Sequence, residues 1–158
     1  MAASLVEMAA GASREWEGAR GVAAQAAALR ARLVPLAQAD AEAYAAVVTA
    51  LERSADHPDE RRDFSLGRAL ERAAQLPLAI AEAAADVTEL SAHVAGSCSG
   101  RVRGEVLAAG VLSEAVVRAA VALVGINLAT AAGDERLEEA QAVATAAAAA
   151  RRRVEEAA

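Results

Sequence analysis

Apolar residues recur along this chain at steps of three and four, and one stripe of them runs through Leu33, Leu36, Tyr44, Val47 and Leu51. That spacing gathers side chains on one face of an α-helix. Asp40 falls on the same stripe, whereas Glu42 points away from it. A carboxylate on an apolar face has to be paired, protonated or used.

The periodicity predicts five helices. The first covers Met1 to about Ala12 and begins without a capping residue, as the latter part of a longer helix would. After a break at Gly11 to Arg14, a second runs to about Arg53, and Pro35 inside it removes a backbone donor and predicts a kink. Residues 54–63, SADHPDERRD, carry charge without periodicity and read as a connection that includes His57. A third helix ends near Val94 and is kinked at Pro77, after which AGSCSG, with Gly96 and Gly100, turns the chain. The fourth covers about 102–130, and GDERLEEA starts the last one with Asp134 as its N-cap. The expected architecture is an elongated up-and-down bundle, a single helical domain over residues 1–158.

The fourth helix is apolar on nearly all sides, which marks it as the most buried element or as one shared with a partner subunit. It is long enough to span a bilayer, but Glu114 and Arg118 sit near its centre. Each would cost about 2.5 to 3.5 kcal/mol there. Their i,i+4 spacing suits an ion pair on a bundle helix instead, so no membrane span is expected.

Composition sharpens the fold class. The chain is 56% hydrophobic but only 2% aromatic, and alanine supplies much of the apolar content. Alanine is the best helix former, whereas strands favour β-branched and aromatic residues. An all-α protein follows. With a net charge of −6, no lysine, and one short basic run at Arg151 to Arg153, the chain lacks the broad positive surface of a nucleic-acid binder. One cysteine, Cys98, cannot form an internal disulfide, and a cytoplasmic location is expected. Phosphate loops, paired CxxC motifs and nucleophile elbows do not occur. Glu89 and His93 stand at i,i+4, but a carboxylate-bridged metal site needs two Glu-x-x-His pairs, so no metal is expected.

Candidate chemistry therefore concentrates on few residues. Asp40 is either satisfied by an arginine or by backbone groups freed at Pro35, or acts as a general acid or base in a pocket between helices. Glu105 and Asn127 lie at the two ends of the fourth helix on one face. Glu105 also suits the first turn for its effect on the helix dipole, and a buried asparagine often ties helices together.

Three stretches, LAQADAEAYAAVVTAL, QLPLAIAEAAADVTEL and VLAAGVLSEAVVRAAVALVGINL, in this order and at these separations, resemble the cyclodeaminase/cyclohydrolase family. That family comprises the cyclodeaminase domain of formiminotransferase-cyclodeaminase and the methenyltetrahydrofolate cyclohydrolases. The resemblance covers about residues 3–150. Its most specific pieces are the Asp-Ala-x-Ala-aromatic element at 40–44 and Ile-Asn-Leu at 126–128. It implies an all-α fold, a tight homodimer, and a tetrahydrofolate derivative bound in a cleft near the subunit interface. Asp40 matches the family's aspartate and becomes the acid/base candidate, with Glu105 as its partner. Tyr44 and Asn127 would line the cleft, and Arg14 would replace a lysine as anchor for a ligand carboxylate. Three departures accompany the match. The family's Pro-Gly-Gly-Gly-Ser segment has no counterpart here. Thr-x-Gly-Lys is shortened to Ser13-Arg14-Glu15-Trp16, and Ser-Asp reads Gly104-Glu105. They imply altered or lost catalysis, or a native start upstream of Met1 that restores the glycine segment; the rival expectation is a non-catalytic helical dimer acting as a scaffold.

Overall fold

The structure of the chain, a computed structural model, describes the backbone of residues 1–56, 60–129 and 133–157, and the side chains of these residues outside 53–63. Among the described residues there are five α-helices: α1 (Ala2–Ala12), α2 (Ala19–Asp56), α3 (Glu60–Ala95), α4 (Arg103–Asn127) and α5 (Glu135–Ala157). A single 3-10 turn, Gly100–Val102, leads into α4. The all-α expectation holds, and the order is up-and-down. Four helix boundaries differ from expectation, the first being the start of α2 at Ala19 rather than directly after Arg14. Residues 54–56 and 60–63 are helical, while 57–59 lie outside the described residues. The charged stretch lacks an apolar stripe but contains residues that propagate a helix well, so absence of periodicity did not mean absence of helix. The fourth helix closes at Asn127, three residues earlier than expected, and residue 130 lies outside the described residues.

Helices α3 and α4 form the central pair; α2 packs on α3, α5 lies against both, and α1 fills the space between α2 and α4 at one end. The core is built from small side chains. Valine is the largest residue that is fully buried among those described, at Val6, Val87, Val94, Val106, Val117, Val124 and Val154. Alanine and valine let helices approach closely, and at Gly110 the approach is closer still: a Cβ there would stand 3.0 Å from Val154 of α5. Three buried hydroxyls, Thr88, Ser91 and Ser113, lie within hydrogen-bond distance of carbonyls one turn back, and the single proton of Thr88 is shared between the Ala84 carbonyl at 3.0 Å and Ser113 Oγ at 2.8 Å, linking α3 to α4.

Both inner prolines sit within continuous helices. Pro77 has no N–H to offer the carbonyl of Ala73 four residues earlier. Asn127 of α4 supplies the missing donor, its Nδ2 reaching that carbonyl at 2.8 Å.

Helix α4 divides lengthwise. Val106, Ala109, Gly110, Ser113, Val117, Ala120 and Val124 are buried, while Val111, Leu112, Val116, Leu123 and Ile126 are exposed on the other side. Gly100–Asn127 is long and apolar enough to cross a membrane by length and composition; here its buried side packs on α1, α3 and α5. Glu114 is 7% exposed and pairs with Arg118 at 3.2 Å and with Arg151 of α5 at 3.8 Å, as the i,i+4 spacing led one to expect for the first pair. Gly133 turns the chain into α5 with φ 85°, a left-handed conformation that suits glycine. Asp134 then caps α5, its Oδ1 accepting the Arg136 N–H at 3.0 Å.

Candidate functional site

An apolar groove of about 340 Å3 runs between α2 and α4. Leu33 and Val34 form one wall, Leu112 and Val116 the other, and Ala84 and Val87 of α3 the floor. The groove exists because α1 separates α2 from α4 only over its own length. Asp40 lies seven residues beyond Leu33 on the same helical face, two turns past the residues of α2 that line the groove.

Asp40 is half-buried, and among the described residues its carboxylate makes no hydrogen bond or ion pair. The expectation that an arginine satisfies it within the chain is therefore not met among those residues. Its neighbours on the stripe behave unevenly. Val47 is buried, Leu33 and Leu36 are half-buried, but Tyr44 is 69% exposed and Leu51 is also exposed. Ala43 occupies the buried position beside Tyr44, packed with Val47 and Ala73. A close helix contact selects the small side chain, so the larger residue one place on is turned outward.

Asn127 reaches Ala73, which packs with Ala43 and Val47, one and two turns beyond Asp40. Asp40, Tyr44 and Asn127 thus belong to the upper part of the bundle. Arg14 and Glu105 belong to the lower end. Arg14 is in the α1–α2 connection, and Glu105, half-buried, is in the first turn of α4. Asp40 is about 31 Å along α2 from its first residue, and Glu105 about 33 Å along α4 from Asn127. A single chain does not bring the two carboxylates together.

The lower end has its own cavity, about 610 Å3, between the two connections and lined by Arg14, Trp16, Ser97, Cys98 and Arg101 among others. A second cavity of about 550 Å3 lies on the other side of Trp16 and Arg14, with Arg20. Arg101 and Trp16 were not singled out from sequence; the signal available was an arginine directly after the glycine that closes AGSCSG. His93 packs against Trp16 in a tilted arrangement, centroids 5.5 Å apart and planes at 54°, and Glu89 binds Arg153 of α5, so that i,i+4 pair is engaged elsewhere. Among the described residues, no three His, Cys, Asp or Glu side chains gather as metal ligands would. The strongest electrostatic perturbation lies away from both cavities. Arg136 holds the Asp134 carboxyl down at about 2, chiefly by a side-chain hydrogen bond.

Comparison with known proteins gives a family match and matches to solved structures. The Formiminotransferase-cyclodeaminase family profile matches residues 1–148. The fold is similar to the crystal structure of formiminotetrahydrofolate cyclodeaminase from Thermotoga maritima, with a TM-score of 0.85 and 25% identity, covering 99% of this chain and 81% of that one. No curated protein matches.

Proposed function

The chain belongs to the formiminotransferase-cyclodeaminase family, and from that premise we propose that it binds a tetrahydrofolate one-carbon derivative and acts on it as a cyclodeaminase or cyclohydrolase. The observation that carries this reading is Asp40, half-buried and unpaired among the described residues, on the face of α2 that carries the groove-lining Leu33, in a fold shared with a formiminotetrahydrofolate cyclodeaminase. In cyclodeamination, N10 of the folate attacks the formimino carbon. The N10 proton passes through the carboxylate to the departing nitrogen, which takes one further proton from solvent and leaves as ammonia. In cyclohydrolysis, water adds to the carbon of the methenyl bridge, one of its protons passes to a bridge nitrogen as the bond from that nitrogen to the carbon breaks, and the other is released to solvent, leaving a formyl group. Both need a carboxylate that exchanges protons at the one-carbon unit, the role proposed for Asp40.

On this reading the working unit is a homodimer in the cytoplasm. The exposed apolar side of α4, with Leu112, Val116 and Leu123, together with Val34, is covered by a second copy. An antiparallel two-fold pairing about the middle of α4 sets Glu105 of one copy level with Asn127 of the other, near its Asp40. Each site then takes Asp40, Tyr44 and Asn127 from one copy and Glu105 and Arg14 from the other. Glu105, longer by a methylene than the aspartate it replaces, alters the chemistry relative to the family. A displacement of about 1 Å is enough to cost around a hundredfold in rate.

A calorimetric titration with 5-formyltetrahydrofolate tests the reading. About one ligand per subunit is expected, with loss of turnover but not of the dimer on Asp40→Asn. Absence of binding would leave the rival, a non-catalytic helical dimer serving as scaffold, which is favoured by the wide separation of Asp40 and Glu105 within one chain.

A further inference from the structure

Of the residues that line the lower cavity, between the α1–α2 and α3–α4 connections, the one-carbon reading uses only Arg14. The cavity's volume of about 610 Å3 suits a small organic group. Arg14 and Arg101 line it together with Trp16 and one carboxylate, Glu15. Among the described residues neither arginine has an ion-pair partner. An unpaired guanidinium is a bidentate donor awaiting a carboxylate. The walls are set in advance. Ser13 Oγ accepts the Ser99 N–H at 2.9 Å and donates to the Ala9 carbonyl at 2.8 Å, tying one connection to the other. The indole of Trp16 is held by His93 and abuts Gly18, where a Cβ would come within 2.8 Å of it. Above the cavity, α4 starts at Arg103 without a side-chain cap on Val102, so the positive end of its dipole adds to the two arginines. Glu105 in that first turn and Glu15 offset part of this charge.

We infer that this cavity receives the aroylglutamate portion of the ligand, with its ring against Trp16 and its carboxylates on Arg14 and Arg101. The inference rests on the folate reading above and adds to it which part of the ligand is selected here, and by which side chains.

Trp16 is the sole tryptophan in the chain, so its emission reports on the cavities that it lines, and Arg101, which lines only this one, tells them apart. Titration with p-aminobenzoylglutamate is expected to change that emission saturably, and p-aminobenzoate, lacking the glutamate, to bind roughly ten- to a hundredfold more weakly. Arg101→Ala should erase the difference, whereas Arg152→Ala, on the exposed side of α5, should leave it intact. Circular dichroism of each variant checks that the helices persist. Equal affinities for the two fragments, or no response to either, would overturn the inference. If 5-formyltetrahydrofolate binds wild type and Arg101→Ala equally, the cavity assignment fails and the folate reading stands. If the fragment binds through Arg101 but 5-formyltetrahydrofolate does not bind, the cavity stands as a carboxylate site and the folate reading fails.

Discussion

Replacing Gly110 by alanine sets two effects of similar size against each other. Gly110 is inside α4, where alanine is favoured over glycine by about 1 kcal/mol. Against this, the new Cβ would stand 3.0, 3.3 and 3.4 Å from the three carbons of the Val154 side chain. Val154 is 1% exposed and β-branched, so it has neither space nor an alternative rotamer to retreat to. Overpacking of this kind costs about 1 to 3 kcal/mol. The expected net effect of Gly110→Ala is a destabilisation of zero to about 2 kcal/mol, too small a range by itself to prove the contact. Val154→Ala should cost about 2 to 3 kcal/mol through lost burial and the cavity left behind. In the double variant the new methyl fills part of that cavity and the clash disappears. The double variant should then be at least about 1 kcal/mol more stable than the two single effects predict. Urea denaturation followed by helical circular dichroism, at one fixed protein concentration because of the proposed dimer, measures all four corners. Additivity within about 0.5 kcal/mol would refute the close α4–α5 approach.

Four further outcomes follow from other contacts. Glu114→Ala should cost about 1 to 2 kcal/mol rather than the 3 to 5 of a fully buried pair, because Arg118 and Arg151 can turn to solvent once freed; denaturant midpoints decide between these ranges. Asn127→Ala should cost about 1 to 2 kcal/mol by orphaning the Ala73 carbonyl, and markedly less in a Pro77→Ala background, where residue 77 regains its N–H; equal cost in both backgrounds would show that the bond is dispensable. The Asp134 carboxyl titrates near 2 when folded, below its ordinary 3.8, so its stabilisation is complete above that ordinary value and is lost as the pH falls through about 2; Asp134→Asn should abolish this part of the acid dependence, and NMR titration of the carboxyl should give the low value directly. Finally, mixing inactive Asp40→Asn and Glu105→Gln chains should restore about a quarter of wild-type turnover, since half the dimers are mixed and each of those holds one intact site of two. No recovery, with mixed dimers verified by mass spectrometry, would place both carboxylates in one copy's site or remove one from the chemistry.

The fold was legible because alanine abundance and apolar spacing carry helix propensity and packing together. Less was legible where burial depends on neighbours. Tyr44 was read as part of a buried stripe, yet Ala43 holds the buried place, since only contact with α3 decides which of two adjacent residues turns inward. The charged stretch after Arg53 reads as a connection because it has no apolar periodicity, yet residues 54–56 and 60–63 are helical: periodicity reports one apolar face, not the helix itself. Asp40 was recognisable as unusual from its stripe. That it stands far from Glu105 was not, because spacing along one helix says nothing of level relative to another. Arg101 escaped notice because its role depends on which connection faces it. Asn127 was visible as a polar residue in an apolar run, but its partner required relating Pro77 to a carbonyl four residues back and then to a different helix.

The bond from Asn127 to Ala73 also acts as a gauge of length. Between these two residues the chain descends along α3, turns through residues 96–102, and returns along α4, so the backbone and one hydrogen bond close a ring. Deleting one residue from either helix inside that ring would shift the amide by about 1.5 Å and swing it about 100° around the axis. Insertions and deletions between residues 73 and 127 should therefore be tolerated in the turn at 96–102 and nowhere else in that span, whereas length changes outside the ring leave the spacing of Glu105 from the upper part of the bundle untouched.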